Sequence, residues 1–158
     1  MANSIKPTKP GTLAGTGAVV ALLTWAVVRI VYGDIPPLHW YTSLWAAVIA
    51  AAEVTYGAGL RRRIKGEPGT FPPDPLSVAR TVAYAKASAI IGSALVGLWL
   101  GFGAYTAGQL GFLQAAPSDT VTAVIGVACS GALVAAGLFM ESCCRIRTGA
   151  DDGPASPA

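Results

Sequence analysis

Residues 80–105, RTVAYAKASAIIGSALVGLWLGFGAY, decide the fold of this chain. The stretch is apolar and longer than the ~20 residues that a helix needs to cross a bilayer. It nevertheless carries Lys86 well inside it. A charged amine in the hydrocarbon region needs a partner, so this helix cannot stand alone. We therefore expect other membrane-spanning helices beside it, one of which supplies an acidic partner for Lys86.

The composition of the chain is also that of a membrane protein. Of its 158 residues, 53% are hydrophobic and 12% are charged, whereas charged residues make up roughly 25% of a soluble domain. The mean hydropathy is +0.55. The three cysteines include the adjacent pair Cys143 and Cys144 and no CxxC spacing. We expect them to be packing residues rather than a disulfide framework or a zinc site.

Four apolar stretches predict an all-α membrane protein with four transmembrane helices. Each stretch has a length suited to a bilayer and is bounded by turn signals or charged residues. The predicted spans are residues 13–32, 40–60, 82–106 and 120–144. The first could instead be a signal peptide, but its apolar run is long for one and lacks a small-residue cleavage motif before its end. We favour a retained helix.

The segments outside the spans predict one transmembrane domain with flexible ends. Residues 1–11 form a polar N-terminal arm, and residues 148–158 form a small, acidic tail that we expect to be disordered. Residues 12–147 form the transmembrane domain between them. Within it, residues 61–79 are predicted to be a long loop, because the prolines there disfavour regular helix.

Basic residues predict the orientation of the four helices. Those of the arm, the long loop and the end of the fourth span lie on one side, whereas the two opposite loops contain no Lys or Arg. The positive-inside rule then places both termini and the loop 61–79 in the cytoplasm of a plasma-membrane protein. The strongest cluster is Arg61, Arg62, Arg63 and Lys65. It is first a topology signal and second a contact for anionic lipid headgroups.

One basic residue lies on the other side. Arg29 is within about one turn of the end of the first span. Its long side chain can snorkel to the lipid headgroups or meet Asp34.

Three charged residues fall inside the predicted spans, and all are in the cytoplasmic third of the bilayer. With a rise of ~1.5 Å per residue, Lys86 lies about 9 Å, Glu53 about 12 Å and Glu141 about 6 Å inside the nearest arginine. Each shares a helical stripe with small residues, which mark a face that approaches another helix. The stripes are Lys86, Ser93, Gly97 and Ala104; Thr42, Ala46, Glu53 and Gly57; Ala123, Ser130, Gly137 and Glu141.

These positions predict an intramembrane charge cluster. We expect an ion pair between Lys86 and Glu53, with Glu141 close by or paired with Arg145 one turn on. The pair either holds helices in register or forms a proton or ion site. Stability in detergent tests this pair. If Lys86→Met and Glu53→Gln each leave the stability unchanged, and their effects add in the double variant, the predicted pair does not exist. The Gly97-x-x-x-Gly101 spacing is a further helix-packing signal.

The sequence contains no recognisable catalytic or cofactor motif. It has no GxSxG, HExxH or P-loop and no grouping of Cys, His and Asp. We therefore expect no enzyme activity, no metal site and no cofactor. The basic patch lies against the membrane, so nucleic acid is not an expected partner.

Short motifs along nearly the whole chain resemble a family of actinobacterial membrane proteins, the domain of unknown function 3180. The matching features are Lys6-Pro7-Thr8, Tyr32-Gly33 before Pro36-Pro37, Glu53, Asp74-Pro75-Leu76 before Arg80, Ala85-Lys86-Ala87-Ser88, and Glu141 with Cys144-Arg145. The resemblance implies four helices in the plasma membrane and assigns no activity. It emphasises Lys86, Glu53, Glu141 and Arg145, which the depth argument also selects.

Two functions lead at this point, and a membrane enzyme, for which the sequence has no motif, comes third. The first is a non-enzymatic accessory or structural membrane component that acts through a partner in the bilayer. The second is a small ion-coupled transporter that uses Glu53 and Lys86. Four helices of this size enclose only a narrow path, so transport would favour a homo-oligomer. A water-filled cavity that reaches Glu53 would favour transport, and a dry bundle would favour the accessory role.

Overall fold

The structure, a computed structural model, describes residues 10–34, 36, 38–64, 69 and 75–145. These residues form four long helices: α1 (Pro10–Val31), α2 (Leu44–Ile64), α3 (Pro75–Gly108) and α4 (Ala116–Arg145). Short 3-10 turns cover Tyr32–Asp34 and Trp40–Ser43. This part of the chain contains no strand. All four helices are long and apolar enough to cross a membrane, which confirms the predicted all-α fold with four spans.

Most helix ends lie beyond the predicted spans, but α2 begins only at Leu44, because residues 40–43 form a 3-10 turn. α3 begins at Pro75 rather than at residue 82, because a proline fits the first position of a helix. α2 continues to Ile64, so the loop predicted over residues 61–79 is shorter at both ends. α1 begins at Pro10, so residues 10 and 11 of the predicted arm are helical. The rest of the arm and the tail 148–158 lie outside the described residues.

The two longest helices exceed the thickness of a bilayer core. α3 has 34 residues and α4 has 30, which correspond to about 51 Å and 45 Å at 1.5 Å per residue. The hydrocarbon core is only about 30 Å thick. These helices must therefore tilt or project into the headgroup region.

The four helices form an open row in the order α1, α3, α4, α2. α1 packs along α3, α3 along α4, and α4 along α2 and the turn at Trp40–Ser43. α2 forms no extended contact with α1 or with α3. The row thus lacks a common interior shared by all four helices. α1 is the most exposed, and only Leu13 and Val28 are buried among its residues.

Glycines set how closely α1 and α3 approach each other. A Cβ added at Gly97 would collide with the carbonyl oxygen of Gly17, and one added at Gly101 would collide with that of Ala21. The GxxxG spacing of α3 therefore packs against α1 of the same chain, where close backbone approach replaces the missing hydrophobic drive.

The α3–α4 contact also depends on small residues. The indole ring of Trp99 lies against Gly126, where a Cβ would overlap it. A Cβ at Gly137 would come within 2.9 Å of the Ala85 carbonyl oxygen. Substitution at either position must therefore push the helices apart.

The two ends of the row differ in chemistry. The aromatic end is where α1 ends and α4 begins. Its apolar cluster contains Val28, Trp99, Phe102 and Ala123, with Tyr32, Leu38, Tyr105 and Val127 packed against it. The basic end is where α2 ends and α3 begins. There Leu60, Val82 and Cys144 pack together, and Arg61, Arg62 and Arg63 are exposed in the last turn of α2.

Candidate functional site

Glu53 is the most deeply buried charged residue that the sequence singled out. Its side chain is 3% exposed. The hydroxyl of Ser88 on α3 donates a hydrogen bond to Glu53 Oε1. Glu53 Oε2 is buried and has no hydrogen-bond partner among the described residues. A carboxylate can accept several hydrogen bonds, so Glu53 has unused acceptor capacity.

Helical spacing places Glu53 on one face with three neighbours. Ala52 and Glu53 follow Ile49 by three and four residues, and Tyr56 follows them by four and three, which is the spacing of one helical face. The small residues Ala46 and Ala50 let α2 pack tightly against Leu133 and Ala136 of α4. Glu53 is held in position by this contact and by the hydrogen bond from Ser88, although α2 and α3 form no extended contact.

A cavity of about 520 Å³ lies in the gap between α2 and α3. α4 contributes Met140 to its wall. Toward the aromatic end, Ile49 joins the apolar cluster of Ala46, Ala50, Leu133 and Ala136, which bounds the cavity there. The complete lining is Ile49, Ala52, Glu53, Tyr56, Arg80, Thr81, Tyr84 and Met140.

Lys86 is half-buried on α3. Its stripe was predicted to approach another helix, and the stripe's Gly97 packs against Gly17 of α1. The contact that the structure gives for Glu53 is with Ser88, two residues after Lys86. The ion pair between Lys86 and Glu53 stays a prediction.

Glu141 is buried in α4 and is 5% exposed. Its stripe is buried as well, since Ala123 is 2% and Ser130 is 1% exposed. Glu141 does not belong to the lining of the cavity at Glu53. Its alternative pairing with Arg145 involves a side chain outside the described residues.

The predicted surface residues lie at the helix ends. Arg61, Arg62 and Arg63 form the exposed last turn of α2, where positive charge also complements the helix dipole. Lys65 falls outside the described residues. Arg29 is exposed in the last turn of α1, and its guanidinium carbon lies 5.4 Å from the centre of the Trp25 ring. Snorkelling of Arg29 and lipid contact by the arginine cluster stay predictions.

The sequence argument missed a third buried carboxylate, that of Asp119. Tyr32 OH donates a hydrogen bond of 2.7 Å to Asp119 Oδ2, and Asp119 is 5% exposed. Asp119 lies just before the predicted fourth span, residues 120–144, and was not among the charges placed inside a span. Both residues border loops on the same predicted side of the membrane, and that shared position was the available signal.

No group of three or more His, Cys, Asp or Glu side chains that could hold a metal ion occurs in the part of the chain that the structure describes. Cys143 and Cys144 are buried free thiols, and Cys144 packs with Leu60 and Val82. The polar groups that line the cavity, from Glu53, Arg80 and hydroxyl side chains, supply hydrogen bonding and charge.

These observations define a multi-pass α-helical membrane protein with a carboxyl-containing cavity between two helices. Residues 13–148 match the family described as protein of unknown function (DUF3180). The chain belongs to this family, as its motifs indicated. No curated protein and no solved structure matches the chain.

Proposed function

We propose that this protein is a non-enzymatic accessory component of the plasma membrane of an actinobacterium, with both termini in the cytoplasm. It acts by binding another membrane protein within the bilayer. The observation that carries this proposal is the position of α1 at one end of the open row. Among the described residues, its one extended helix contact is with α3, so they leave a wide apolar surface of α1 uncovered.

The outer face of α1 is shaped for another helix. Gly11 and Gly15 have no atom within 4 Å of where a Cβ would stand. Val19 and Leu22 continue the same face and are 57% and 70% exposed. Glycines spaced by four residues permit close backbone approach, which drives helix association in membranes.

The experiment is purification of the tagged full-length chain from its own membranes in mild detergent, with identification of the bound proteins. Gly15→Leu is expected to remove the partner without changing thermal stability, because open space surrounds Gly15. Gly131→Leu on α4 is the matched control, since nothing lies within 4 Å there either. A partner retained equally by both variants would contradict binding through α1.

A second candidate is a small oligomeric, ion-coupled transporter that uses Glu53 and Lys86. The cavity of about 520 Å³ that Glu53 lines favours it. In this case the purified chain should be a homodimer by light scattering. Vesicles that contain the protein should show charge movement after an ion jump, and Glu53→Gln should abolish that movement. A monomer without charge movement would exclude this candidate.

A further inference from the structure

The cavity between α2 and α3 has a defined order of chemical groups along its length. The Ser88–Glu53 hydrogen bond sets these two residues at the same level of two helices that run in opposite directions. Arg80 precedes Ser88 by eight residues, which is about 12 Å toward the basic end at 1.5 Å per residue. Arg80 is exposed at the mouth, whereas Glu53 lies deep in the wall.

The deep part of the cavity lacks a donor for Glu53. Its Oε2 is buried without a hydrogen-bond partner among the residues that the structure describes. A polar oxygen left in this state in the membrane interior is costly, and a donor that reached it would recover that free energy. The Thr81 hydroxyl, also in the lining, already donates to the Ser77 carbonyl oxygen at 2.8 Å.

The remaining walls suit an apolar body with a cationic head. Ile49, Ala52 and Met140 supply hydrocarbon surface. Tyr56 and Tyr84 border the cavity from α2 and α3 and are 56% and 55% exposed, so their ring faces are accessible to a cation. The volume is within the range of pockets for small molecules, roughly 300–1,000 Å³.

We propose that this cavity is a binding site for an amphiphilic amine. The ammonium group donates a charge-assisted hydrogen bond to Glu53 Oε2 and lies between the two tyrosines. The hydrocarbon body contacts Ile49, Ala52 and Met140. Because Glu53 Oε2 is buried, binding requires the terminal carboxyl torsion, which is soft, to turn this oxygen toward the cavity.

An anionic amphiphile is the competing occupant, because Arg80 stands at the mouth. The negative head group of such a ligand would pair with Arg80. It would leave Glu53 Oε2 without a donor and would bring a second negative charge toward the carboxylate. The deep carboxyl group therefore decides the class of ligand. This site does not depend on what covers α1. A negative result for the amine would therefore leave the partner proposal standing, and a negative result for Gly15→Leu would leave the amine site standing.

The experiment compares three probes with the same hydrocarbon chain: dodecylamine, dodecanol and dodecanoate. Binding to the full-length protein in maltoside micelles is measured by native mass spectrometry and by the shift of the thermal unfolding midpoint. We expect dodecylamine to bind roughly tenfold more tightly than dodecanoate, the ratio given by one charge-assisted hydrogen bond. Glu53→Gln should bring the two affinities to within about twofold, because the amide is not charged.

Matched variants separate the site from general effects on the fold. Glu141→Gln changes another buried acid outside the cavity and should keep the tenfold ratio. Ala52→Trp should fill the cavity and weaken all three probes, whereas Ala51→Trp next to it should not. The ratio of the dodecylamine and dodecanoate affinities is measured within each variant, so a change in the stability of that variant affects both affinities and cancels from the ratio. Tightest binding of dodecanoate, lost in Arg80→Gln, or a preference for the amine that survives Glu53→Gln, would overturn the proposal.

Discussion

Asp119 and Glu53 are both buried carboxylates, but they lie in different surroundings. Asp119 is at the aromatic end and accepts a hydrogen bond from Tyr32. Glu53 is nearer the basic end and accepts one from Ser88. In each group the second oxygen has no partner among the described residues. The number of hydrogen bonds is therefore the same, and the difference between the two sites must come from what surrounds them.

The surroundings of Asp119 are those of a structural contact. It lies in the first turn of α4, where the helix dipole stabilises negative charge. Its partner Tyr32 packs against Tyr105 and Phe102, with ring centres 5.2 Å and 6.3 Å apart. The bond joins the end of α1 to α4, two helices that form no extended contact along their length. Asp119 thus helps to close the aromatic end.

Glu53 lacks both forms of support. It lies in the middle of α2, far from a helix terminus, and it borders a cavity rather than a packed aromatic cluster. The comparison teaches that an unpaired carboxylate oxygen is tolerated at Asp119 because a dipole compensates it. At Glu53 no helix terminus is near, and the proposed amine would supply the compensation. The following substitutions test this difference, from the largest expected effect to the smallest.

Filling space at the aromatic end should be the most damaging change. In Gly126→Leu the new side chain must displace the Trp99 ring, which packs directly on this glycine. We expect a loss of about 3 kcal/mol in unfolding free energy, the upper range for an overpacked core. Denaturation in detergent measures it. Gly131→Leu, in open space on the same helix, should cost far less; an equal loss would show that Trp99 packing is unimportant.

Removing the donor to Asp119 should have the next largest effect. Tyr32→Phe keeps the aromatic contacts but leaves the buried carboxylate without its hydrogen bond. The expected loss is about 1–2 kcal/mol of unfolding free energy. Tyr41→Phe is the control, because Tyr41 is 56% exposed. If Asp119→Asn abolishes the effect of Tyr32→Phe, the two residues act through this bond; full additivity would contradict it.

Removing the donor to Glu53 should cost less than removing the donor to Asp119. Ser88→Ala deletes the equivalent hydrogen bond, but water or a ligand group in the adjacent cavity can replace it. We expect a loss below about 1 kcal/mol. Ser142→Ala is a matched control, since that exposed hydroxyl bonds only the Phe139 carbonyl oxygen of its own helix. If Ser88→Ala lowered the unfolding free energy as much as Tyr32→Phe, the surroundings of Glu53 and Asp119 would not differ in the way described here.

Filling the cavity itself should change stability least. Ala52→Leu adds a side chain to the gap between α2 and α3, where no helix contact has to be displaced. We expect a change within about 0.5 kcal/mol in unfolding free energy, as for surface substitutions. The contrasting substitution is Ala89→Leu in the α3–α4 contact, where Ala89 is 0% exposed. Strong destabilisation by Ala52→Leu would mean that the gap closes in the folded protein.

Much of the fold follows from local properties of the chain. Apolar length alone predicted four spans, and small residues every fourth position predicted the face of α3 around Gly97. Helix ends were less predictable, since Pro75 can either break a helix or begin one. The burial of Glu53 was predictable because its stripe contains Ala46 and Gly57, both of which are buried.

The partners of the buried groups were not predictable in the same way. Opposite charge favoured Lys86 for Glu53, and nothing local distinguishes Ser88, which lies on a different side of the same helix. Likewise, Tyr32 and Asp119 are 87 residues apart in the chain. Such pairs depend on which helices are neighbours. Apolar stretches of similar composition do not specify the order in which the helices pack.

The sequence by itself determined that this protein is helical, crosses the membrane with four helices and carries acidic groups within them, because hydrophobic length and charge act locally. Only the tertiary structure decided the row α1–α3–α4–α2, the gap between α2 and α3, and the different surroundings of Asp119 and Glu53. These depend on backbone approach at single glycines such as Gly17, Gly97 and Gly126, where one added carbon would change which helices can touch.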